Sequence, residues 1–270
     1  MAYEMLVLDL DGTLTTSEKV ISPPTKSALK EIQKIGKHVV LASGRPTHGI
    51  VPLAEDLNLS ETGGYILSFN GARIINCKTG DIIYDKPVPP SYLPLIYDYA
   101  KEMGMNLVTY KDNEVISAFE PNQESLIEAE INKMPIRQVD DFLSYVDFPV
   151  NKLLITGDPE VILTMEKELK KQVGVALNIY RSEPYFLEIM APLIDKAHSL
   201  QRLLNSLGLK SEHMICCGDG YNDLTMIESA GLGVAMANAQ PAVLDAADYI
   251  TKSNDEDGVL HVINEFILKN

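Results

Sequence analysis

Two aspartates, Asp9 and Asp11, follow the apolar run Leu6-Val7-Leu8 and precede Gly12 and Thr13. Residues i and i+2 of an extended segment point the same way, so the two carboxylates can converge on one ligand. In an open α/β sheet, ligands bind outside the carboxyl ends of the strands. Paired carboxylates repel each other unless a cation or a proton lies between them, and oxygen-only ligands favour magnesium. A surface turn after an edge strand is the alternative for this motif on its own.

Polar side chains also follow three further apolar runs that are predicted strands. They are Ser43 with Gly44 and Arg45, then Asn70, then Asp219 with Asn222 and Asp223. Because the carboxyl ends of parallel strands meet at one edge of a sheet, the spacing predicts that these residues lie together. Ordinary alternatives stay open for single positions, since Ser43 and Asp219 could cap helices and Asn70 could form a turn. Lys196 starts a predicted helix, where a bound anion would offset its unfavourable interaction with the helix dipole.

The elements that would position these residues alternate between strand and helix, which predicts an α/β fold with a parallel sheet. The stiff segment Pro87-Val88-Pro89-Pro90 suits an interdomain link. Two helix-strand-strand units follow it and predict a small α+β domain inserted into the core. We therefore expect a core formed by residues 1–87 and 183–270 and an inserted domain formed by residues 88–182. No reactive cluster is found in that domain, so we expect a lid or specificity domain, with a purely structural insertion as the alternative.

The composition disfavours some partners. The 270 residues carry a formal net charge of -15 with a pI ≈ 4.7, so no basic excess is present for nucleic acid or an anionic membrane. Cys77, Cys216 and Cys217 form neither a disulfide framework nor a zinc-ligand spacing. The sequence shows neither a signal-peptide pattern nor an apolar stretch long enough for a membrane span, and we predict a cytoplasmic protein.

Four motifs, in order, resemble those of the haloacid dehalogenase superfamily. They are Asp9-Leu10-Asp11-Gly12-Thr13, Ser43-Gly44-Arg45, Lys196, and Gly218-Asp219-Gly220-Tyr221-Asn222-Asp223. The long insertion resembles the C2-type cap of the Cof-type sugar-phosphate phosphatases, subfamily IIB. Three further segments look like that subgroup: Ser68-Phe69-Asn70-Gly71-Ala72, Pro184-Tyr185-Phe186-Leu187-Glu188-Ile189 and Thr251-Lys252-Ser253-Asn254. Ala197 and the segment Met236-Ala237-Asn238-Ala239 depart from the pattern by carrying alanine where glycine is frequent, and neither departure removes a functional group.

The resemblance implies a Rossmann-like, doubly wound parallel-sheet core with an inserted α+β cap domain. It implies a magnesium-dependent phosphatase of small phosphomonoesters, such as sugar phosphates, that works through an aspartyl-phosphate. Asp9 would be the nucleophile and Asp11 the general acid and base. The implied metal residues are Asp9, Asp11 through its backbone carbonyl, Asp219 and Asp223. The implied phosphate- or substrate-binding residues are Ser43, Gly44, Arg45, Asn70, Lys196 and Asn222. The expected partner is a small phosphorylated metabolite, and neither nucleic acid nor a membrane is expected.

Three other functions stay open from the sequence. A receiver-type signalling domain also combines a buried aspartate, magnesium, a hydroxyl and a lysine, but it is far shorter and does not need an acid two residues after the nucleophile. A phosphomutase or another phosphotransferase shares the first half-reaction, and the cap would decide whether water or a sugar hydroxyl accepts the phosphoryl group. A noncatalytic sugar-phosphate sensor is disfavoured because every reactive position is intact.

Overall fold

The computed structural model describes residues 3–269, which form two units that each have their own sheet. The strands of these residues, in chain order, are β1 (Met5–Leu8), β2 (His38–Ala42), β3 (Tyr65–Ser68), β4 (Arg73–Asn76), β5 (Ile82–Asp85), β6 (Asn106–Lys111), β7 (Glu114–Ser117), β8 (Ile136–Gln138), β9 (Lys152–Thr156), β10 (Asn178–Glu183), β11 (Phe186–Met190), β12 (Met214–Gly218), β13 (Leu232–Ala235) and β14 (Tyr249–Ile250).

The α-helices of the same residues, in chain order, are α1 (Pro23–Lys34), α2 (Thr47–Asp56), α3 (Leu59–Thr62), α4 (Leu93–Glu102), α5 (Gln123–Asn132), α6 (Phe142–Tyr145), α7 (Pro159–Val173), α8 (Lys196–Leu207), α9 (Leu224–Ser229), α10 (Pro241–Ala246) and α11 (Gly258–Ile263). None of the helices within residues 3–269 has both the length and the apolar composition needed to cross a membrane.

The core unit comprises residues 3–84 and 195–269 and is built on a sheet with the strand order β14-β13-β12-β1-β2-β3-β4-β5. The strands from β14 to β3 run parallel, and β4 turns back antiparallel to β3. β1 is central, and Val7 lies opposite Cys216 of β12 and Val40 of β2. All four residues of β1 are buried, which is typical of a parallel strand covered on both faces.

Helices cover both faces of this sheet. Leu6 of β1 belongs to an apolar cluster that includes Leu29 of α1, whereas Val7 belongs to a second cluster that includes Leu200 of α8. Adjacent residues of a strand point to opposite faces, so α1 and α8 lie on opposite sides of the sheet. A parallel sheet between two helical layers is the doubly wound α/β architecture, and the predicted fold class is confirmed.

The inserted unit comprises residues 85–194 and contains a six-stranded sheet with the order β10-β11-β9-β6-β7-β8. Its neighbouring strands are antiparallel except for the parallel pair β7 and β8. Ile96 of α4 and Met165 of α7 pack in one apolar cluster with Leu187 of β11, and Ala129 of α5 packs in another with Phe186. This unit is therefore α+β, with helices on both faces of a mainly antiparallel sheet.

In the structure, the two units meet at residues that differ from the predicted boundaries of the insertion. The chain leaves the core unit after Tyr84 and returns to it at Asp195, instead of at residues 88 and 183. The difference at the end of the inserted unit is the larger one. The inserted unit includes β11, which pairs antiparallel with β10 on one side and with β9 on the other. β9 lies about thirty residues earlier in the chain, and local apolar spacing carries no information about a pairing of that kind.

Candidate active site

Three neighbouring strands of the core unit, β12, β1 and β2, end directly before residues that the sequence singles out. Asp9 follows β1, Ser43 follows β2 and Asp219 follows β12. The backbone pairing continues into these residues, since the Asp9 N–H donates to the Cys217 carbonyl at 3.0 Å and the Ser43 N–H donates to the Leu67 carbonyl at 2.9 Å. The apolar strands thus hold the three polar residues at one edge of the parallel sheet.

Lys196 is a fully buried cation that bridges two carboxylates. Its Nζ donates to Asp9 Oδ1 and to Asp223 Oδ1, each at 2.6 Å. Lys196 is the first residue of α8, where a cation opposes the helix dipole, and the two carboxylates offset that cost. Burial lowers the pKa of the Lys196 ammonium, but the Asp223 and Asp9 carboxylates outweigh this and hold its pKa above the ordinary value. Lys196 is therefore charged, and its position is fixed.

Asp223 joins the turn after β12 to the start of α8. Its Oδ2 accepts the backbone N–H groups of Asp219 at 3.0 Å and Gly220 at 2.9 Å, while its Oδ1 accepts the Lys196 ammonium. Asp223 is fully buried, and its carboxylate is satisfied by three donors. This arrangement orients Lys196 and holds Asp219 next to the end of β1.

Three carboxylates converge at the ends of β1 and β12, and we call Asp9, Asp219 and Asp223 the acid cluster. One oxygen of each lies within 4.8 Å of the others. Burial and the Asp223 charge raise the pKa of Asp9 to about 8, although Lys196 acts in the opposite direction. Burial also raises the pKa of Asp219 to about 6, against the effect of the Thr13 hydroxyl, which donates to Asp219 Oδ1 at 2.7 Å. Full ionisation of the acid cluster thus needs more positive charge than Lys196 supplies.

The Asp11 carboxylate has different partners from those of the acid cluster. Arg45 donates from Nε to Asp11 Oδ2 at 2.8 Å and from Nη2 to Asp11 Oδ1 at 2.7 Å, and Lys19 Nζ donates to Oδ1 at 2.8 Å. Burial acts to raise the pKa of Asp11, but the hydrogen bonds and charges of Arg45 and Lys19 outweigh it and lower the pKa. Arg45, which the sequence predicts to bind phosphate or substrate, therefore binds the Asp11 carboxylate. Its planar guanidinium can donate two parallel hydrogen bonds to the two carboxylate oxygens.

Four of the remaining predicted residues are in contact with one another. Asn222 Nδ2 donates to Asn70 Oδ1 at 3.1 Å, and the Asn70 backbone N–H donates to the Ser43 carbonyl at 2.9 Å. A Cβ placed on Gly44 would lie only 3.1 Å from Asn70 Nδ2. Phe69 and Asn70 both have φ of 51°, a left-handed conformation that costs of order 1–3 kcal/mol for each non-glycine residue. The surroundings must therefore hold Asn70 in place.

A sequence model described as haloacid dehalogenase-like hydrolase matches residues 6–263. The chain belongs to this family. A haloacid dehalogenase-like hydrolase of solved structure from Bacteroides thetaiotaomicron is 47% identical, with 97% of this chain and 98% of that chain covered and a TM-score of 0.94.

Two similar proteins are described as phosphatases with a stated substrate class. The HAD subclass IIB sugar phosphatase BT4131 is 26% identical to this chain, with 97% of this chain and 98% of that chain covered and a TM-score of 0.83. The 5-amino-6-(5-phospho-D-ribitylamino)uracil phosphatase YcsE of Bacillus subtilis (strain 168) is 31% identical over 265 residues, which cover 98% of this chain and 96% of the relative. The predicted family is confirmed, and the chain is a haloacid dehalogenase-like phosphatase.

Contacts of this haloacid dehalogenase-like phosphatase also involve residues to which the sequence assigned no role. Thr13, which lies inside the first motif, contacts Asp219, and Lys19 contacts Asp11. Asn238 Nδ2 donates to the Gly12 carbonyl at 2.8 Å. The place of Thr13 four residues after Asp9 is a usable signal, and Asn238 lies in the segment Met236-Ala237-Asn238-Ala239 that was compared with the family pattern, whereas Lys19 belongs to no local pattern that points to the site.

Proposed function

We propose that this haloacid dehalogenase-like phosphatase hydrolyses small phosphomonoesters with magnesium and through an aspartyl-phosphate on Asp9. The observation that carries the proposal is the buried Asp9 carboxylate, which is bound by Lys196 within the acid cluster while Asp11, two residues further on, is bound by Arg45. Asp9 thus lies beside carboxylates that can bind a cation and beside Lys196, which can bind an anion. Asp11 has separate partners and suits proton transfer. These are the two tasks that a carboxylate nucleophile and a general acid and base perform.

The acid cluster fits a divalent cation with oxygen ligands. Its carboxylates lie within 4.8 Å of one another, and Mg²⁺ prefers such hard oxygen ligands. The raised pKa values of Asp9 and Asp219 support this assignment, because a cation would relieve the repulsion between them. We assign Asp9, Asp219 and the backbone carbonyl of Asp11 as ligands, with Asp223 orienting this shell. When bound, magnesium would screen the charge of the nucleophile and polarise a phosphate oxygen.

In the first half-reaction, Asp9 attacks phosphorus and the bond from phosphorus to the ester oxygen breaks. Lys196 holds Asp9 Oδ1 at 2.6 Å, so we assign the attack to Oδ2. The departing ester oxygen takes a proton from Asp11 and leaves as an alcohol. Because Arg45 and Lys19 lower the pKa of Asp11, we expect these cations to leave its carboxylate before that proton transfer.

In the second half-reaction, water attacks the phosphorus of the aspartyl-phosphate and gives its proton to Asp11. The bond between phosphorus and Asp9 breaks, which regenerates the carboxylate and releases inorganic phosphate. We assign Lys196, Asn222 and the Ser43-Gly44 turn to the phosphate oxygens. Ser43 Oγ accepts the Arg45 backbone N–H at 3.2 Å, an arrangement in which its hydroxyl can donate to an anion.

We propose that the substrates are phosphorylated, polyhydroxylated metabolites. One relative is a sugar phosphatase and another acts on a phosphorylated ribityl compound. We assign the inserted unit as a cap that selects the leaving group, because it has its own sheet and core while the acid cluster, Lys196 and Ser43 all belong to the core unit. We expect the protein in the cytoplasm, where such metabolites occur and where its three cysteines would stay reduced.

A phosphate-release screen over phosphorylated sugars, polyols, nucleotides and cofactors tests the reaction class, with Mg²⁺ and with EDTA. We expect release from a subset of sugar or polyol phosphates with Mg²⁺ alone. The intermediate is tested by acid quench during turnover, followed by peptide mass spectrometry. A phosphoryl group on Asp9, absent in Asp9→Asn, is the expected result. Phosphorylation at another residue would contradict the mechanism, and preferential transfer to an added sugar hydroxyl would assign the chain as a phosphotransferase.

A further inference from the structure

The segment Phe69-Asn70-Gly71, which follows β3, has three consecutive residues with positive φ, at 51°, 51° and 101°. Asparagine is enriched in this left-handed region, but a bulky residue such as Phe69 is rarely found there. The segment also lies at the edge of the parallel sheet where the neighbouring strands carry the candidate active site. Unfavourable backbone geometry is therefore kept next to the groups assigned to phosphate.

Backbone hydrogen bonds tie this segment to the turn after β2. The Phe69 N–H donates to the Arg45 carbonyl at 3.0 Å, and the Asn70 N–H donates to the Ser43 carbonyl at 2.9 Å. Both acceptors belong to the Ser43-Gly44-Arg45 motif. The strained segment and this motif therefore form one hydrogen-bonded unit, and moving either one would disturb the other.

A third hydrogen bond ties the segment to α8. The buried Ser199 hydroxyl donates to the Gly71 carbonyl at 2.7 Å. Ser199 lies three residues after Lys196, which is almost one turn of helix. The segment is thus anchored to two of the elements that carry proposed phosphate-binding residues, and these anchors explain how its backbone geometry is maintained.

The Asn70 side chain lies where these anchors direct it. Only 6% of Asn70 is exposed, and a Cβ at Gly44 would lie within 3.2 Å of both atoms of its terminal amide. Asn70 Oδ1 accepts the amide of Asn222, a residue that is itself exposed to solvent. A buried and anchored amide therefore holds an exposed one that would otherwise sample several rotamers.

We propose that Asn70 is a positioning residue, which fixes the Asn222 amide and the Gly44 turn for the phosphate and does not itself bind the phosphate. This inference rests on the proposed function, in which Asn222 and the Ser43-Gly44 turn hold phosphate oxygens. Fixing Asn222 before the anion arrives reduces the entropy lost on binding, which is the general benefit of a preorganised site. The left-handed backbone of Phe69 and Asn70 is what aims the Asn70 side chain.

A double-mutant cycle tests this assignment. Asn70→Gly removes the amide while keeping a residue that adopts positive φ readily, Asn222→Ala removes the donor, and the third protein carries both changes. Two quantities are measured: kcat/KM with the best substrate of the wild type, and the dissociation constant of inorganic phosphate with Mg²⁺ by calorimetry. Asn58→Gly is the matched control, because Asn58 also has positive φ but contacts Lys30 and Glu61.

We expect Asn222→Ala to weaken phosphate binding roughly 10-fold, as loss of a hydrogen bond to a charged group does, and Asn70→Gly to weaken it by a smaller factor because it releases the groups that bind the phosphate. The double variant should bind phosphate more tightly than the product of the two single effects predicts, because part of the Asn70 effect acts through Asn222. Asn58→Gly should bind phosphate as the wild type does. The positioning role is overturned if the loss of phosphate affinity in the double variant equals the product of the two single losses. It is also overturned if Asn70→Gly binds phosphate as tightly as the wild type.

A second cycle uses Asn70→Ala in place of Asn70→Gly. It also removes the amide, and it can be measured if the glycine variant does not fold. Agreement between the alanine and glycine cycles supports the role of the side chain, whereas a loss confined to the alanine variants would assign the effect to the backbone and contradict the proposal. A wild type that releases no phosphate from any ester but binds inorganic phosphate would contradict the proposed function alone, and the binding cycle still decides the role of Asn70. A wild type that binds no phosphate contradicts both.

Discussion

Replacing Asp9 with asparagine should make the metal-free protein more stable at pH 8 while it abolishes turnover. Asp9 is only 6% exposed and lies within the acid cluster, where burial and the Asp223 charge raise its pKa to about 8. Asparagine has nearly the same shape and carries no ionisable group, so it removes both the charge repulsion and the proposed nucleophile. Groups that serve a reaction are often kept at a cost in stability.

The size of this effect follows from proton linkage. The pKa of Asp9 is about 8 in the folded chain and near the model-peptide value of 3.8 in the unfolded chain, so the folded state binds one more proton between these values. The stability that Asp9 contributes is complete below about pH 4 and falls by about 1.4 kcal/mol per pH unit as the pH rises towards 8. Between pH 5 and pH 8 the wild type should therefore lose on the order of a few kcal/mol relative to Asp9→Asn. The repulsion from the net charge of -15 acts on both proteins, which differ by one charge.

Differential scanning calorimetry in EDTA at pH 5 and pH 8 measures this difference. Asp11→Asn is the matched control, and it should lower the unfolding midpoint instead of raising it. Arg45 and Lys19 lower the pKa of Asp11, so the ionised form of Asp11 is the stabilising one. Added Mg²⁺ should raise the midpoint of the wild type at pH 8 more than that of Asp9→Asn. Equal unfolding midpoints for the wild type and Asp9→Asn at pH 8 would contradict a raised pKa of Asp9. So would an increase in midpoint from Asp9→Asn that is the same at pH 5 and at pH 8.

Four further outcomes are expected. EDTA should stop phosphate release and Mg²⁺ should restore it in a continuous phosphate assay; full activity in a chelated sample would contradict the metal assignment. Arg45→Ala should raise the pKa of Asp11 and shift the alkaline limb of the pH dependence of kcat/KM to higher pH, because Asp11 must be protonated in the first half-reaction, and an unchanged profile would remove Arg45 from this role. Gly12→Ala should reduce activity roughly 100-fold, as a misplacement of about 1 Å in an active site can, and lower the unfolding midpoint, because residue 12 has φ of 82° and the added Cβ would lie 2.4 Å from Asp219 Oδ2. Exchanging residues 85–194 for the corresponding segment of a relative should transfer that relative's substrate ranking, measured as relative kcat/KM, and a ranking that stays with the core unit would contradict the cap assignment.

The architecture could be predicted from the sequence because its strongest signals are local. β1 and β12 are apolar runs that end abruptly in acids, and a parallel sheet brings such ends to one edge whatever the exact loop geometry. Asp9, Asp219 and Asp223 therefore stand where the spacing placed them, and the fold class and the phosphatase family are confirmed. Their roles in the reaction stay predictions.

What the sequence could not provide are partnerships between distant residues. The motif Ser43-Gly44-Arg45 predicts that Arg45 binds phosphate or substrate. Its observed partner is Asp11, because the long Arg45 side chain extends past the turn after β2. The predicted end of the inserted unit differs from the one in the structure for a similar reason, since the place of β11 depends on its pairing with β9. Such contacts are set by tertiary packing, which local patterns do not encode.

The position of β1 between β12 and β2 also determines when the site can form during synthesis. A ribosome delivers Asp9 first, then the whole inserted unit, and only afterwards Lys196 and the turn that bears Asp219. Domains generally fold as units while the chain emerges, so the inserted unit can pair its own strands before β12 exists. A nascent chain therefore holds the proposed nucleophile without its cation-binding partners until the whole inserted unit has been synthesised. By then the unit that we assign to substrate selection has already been made.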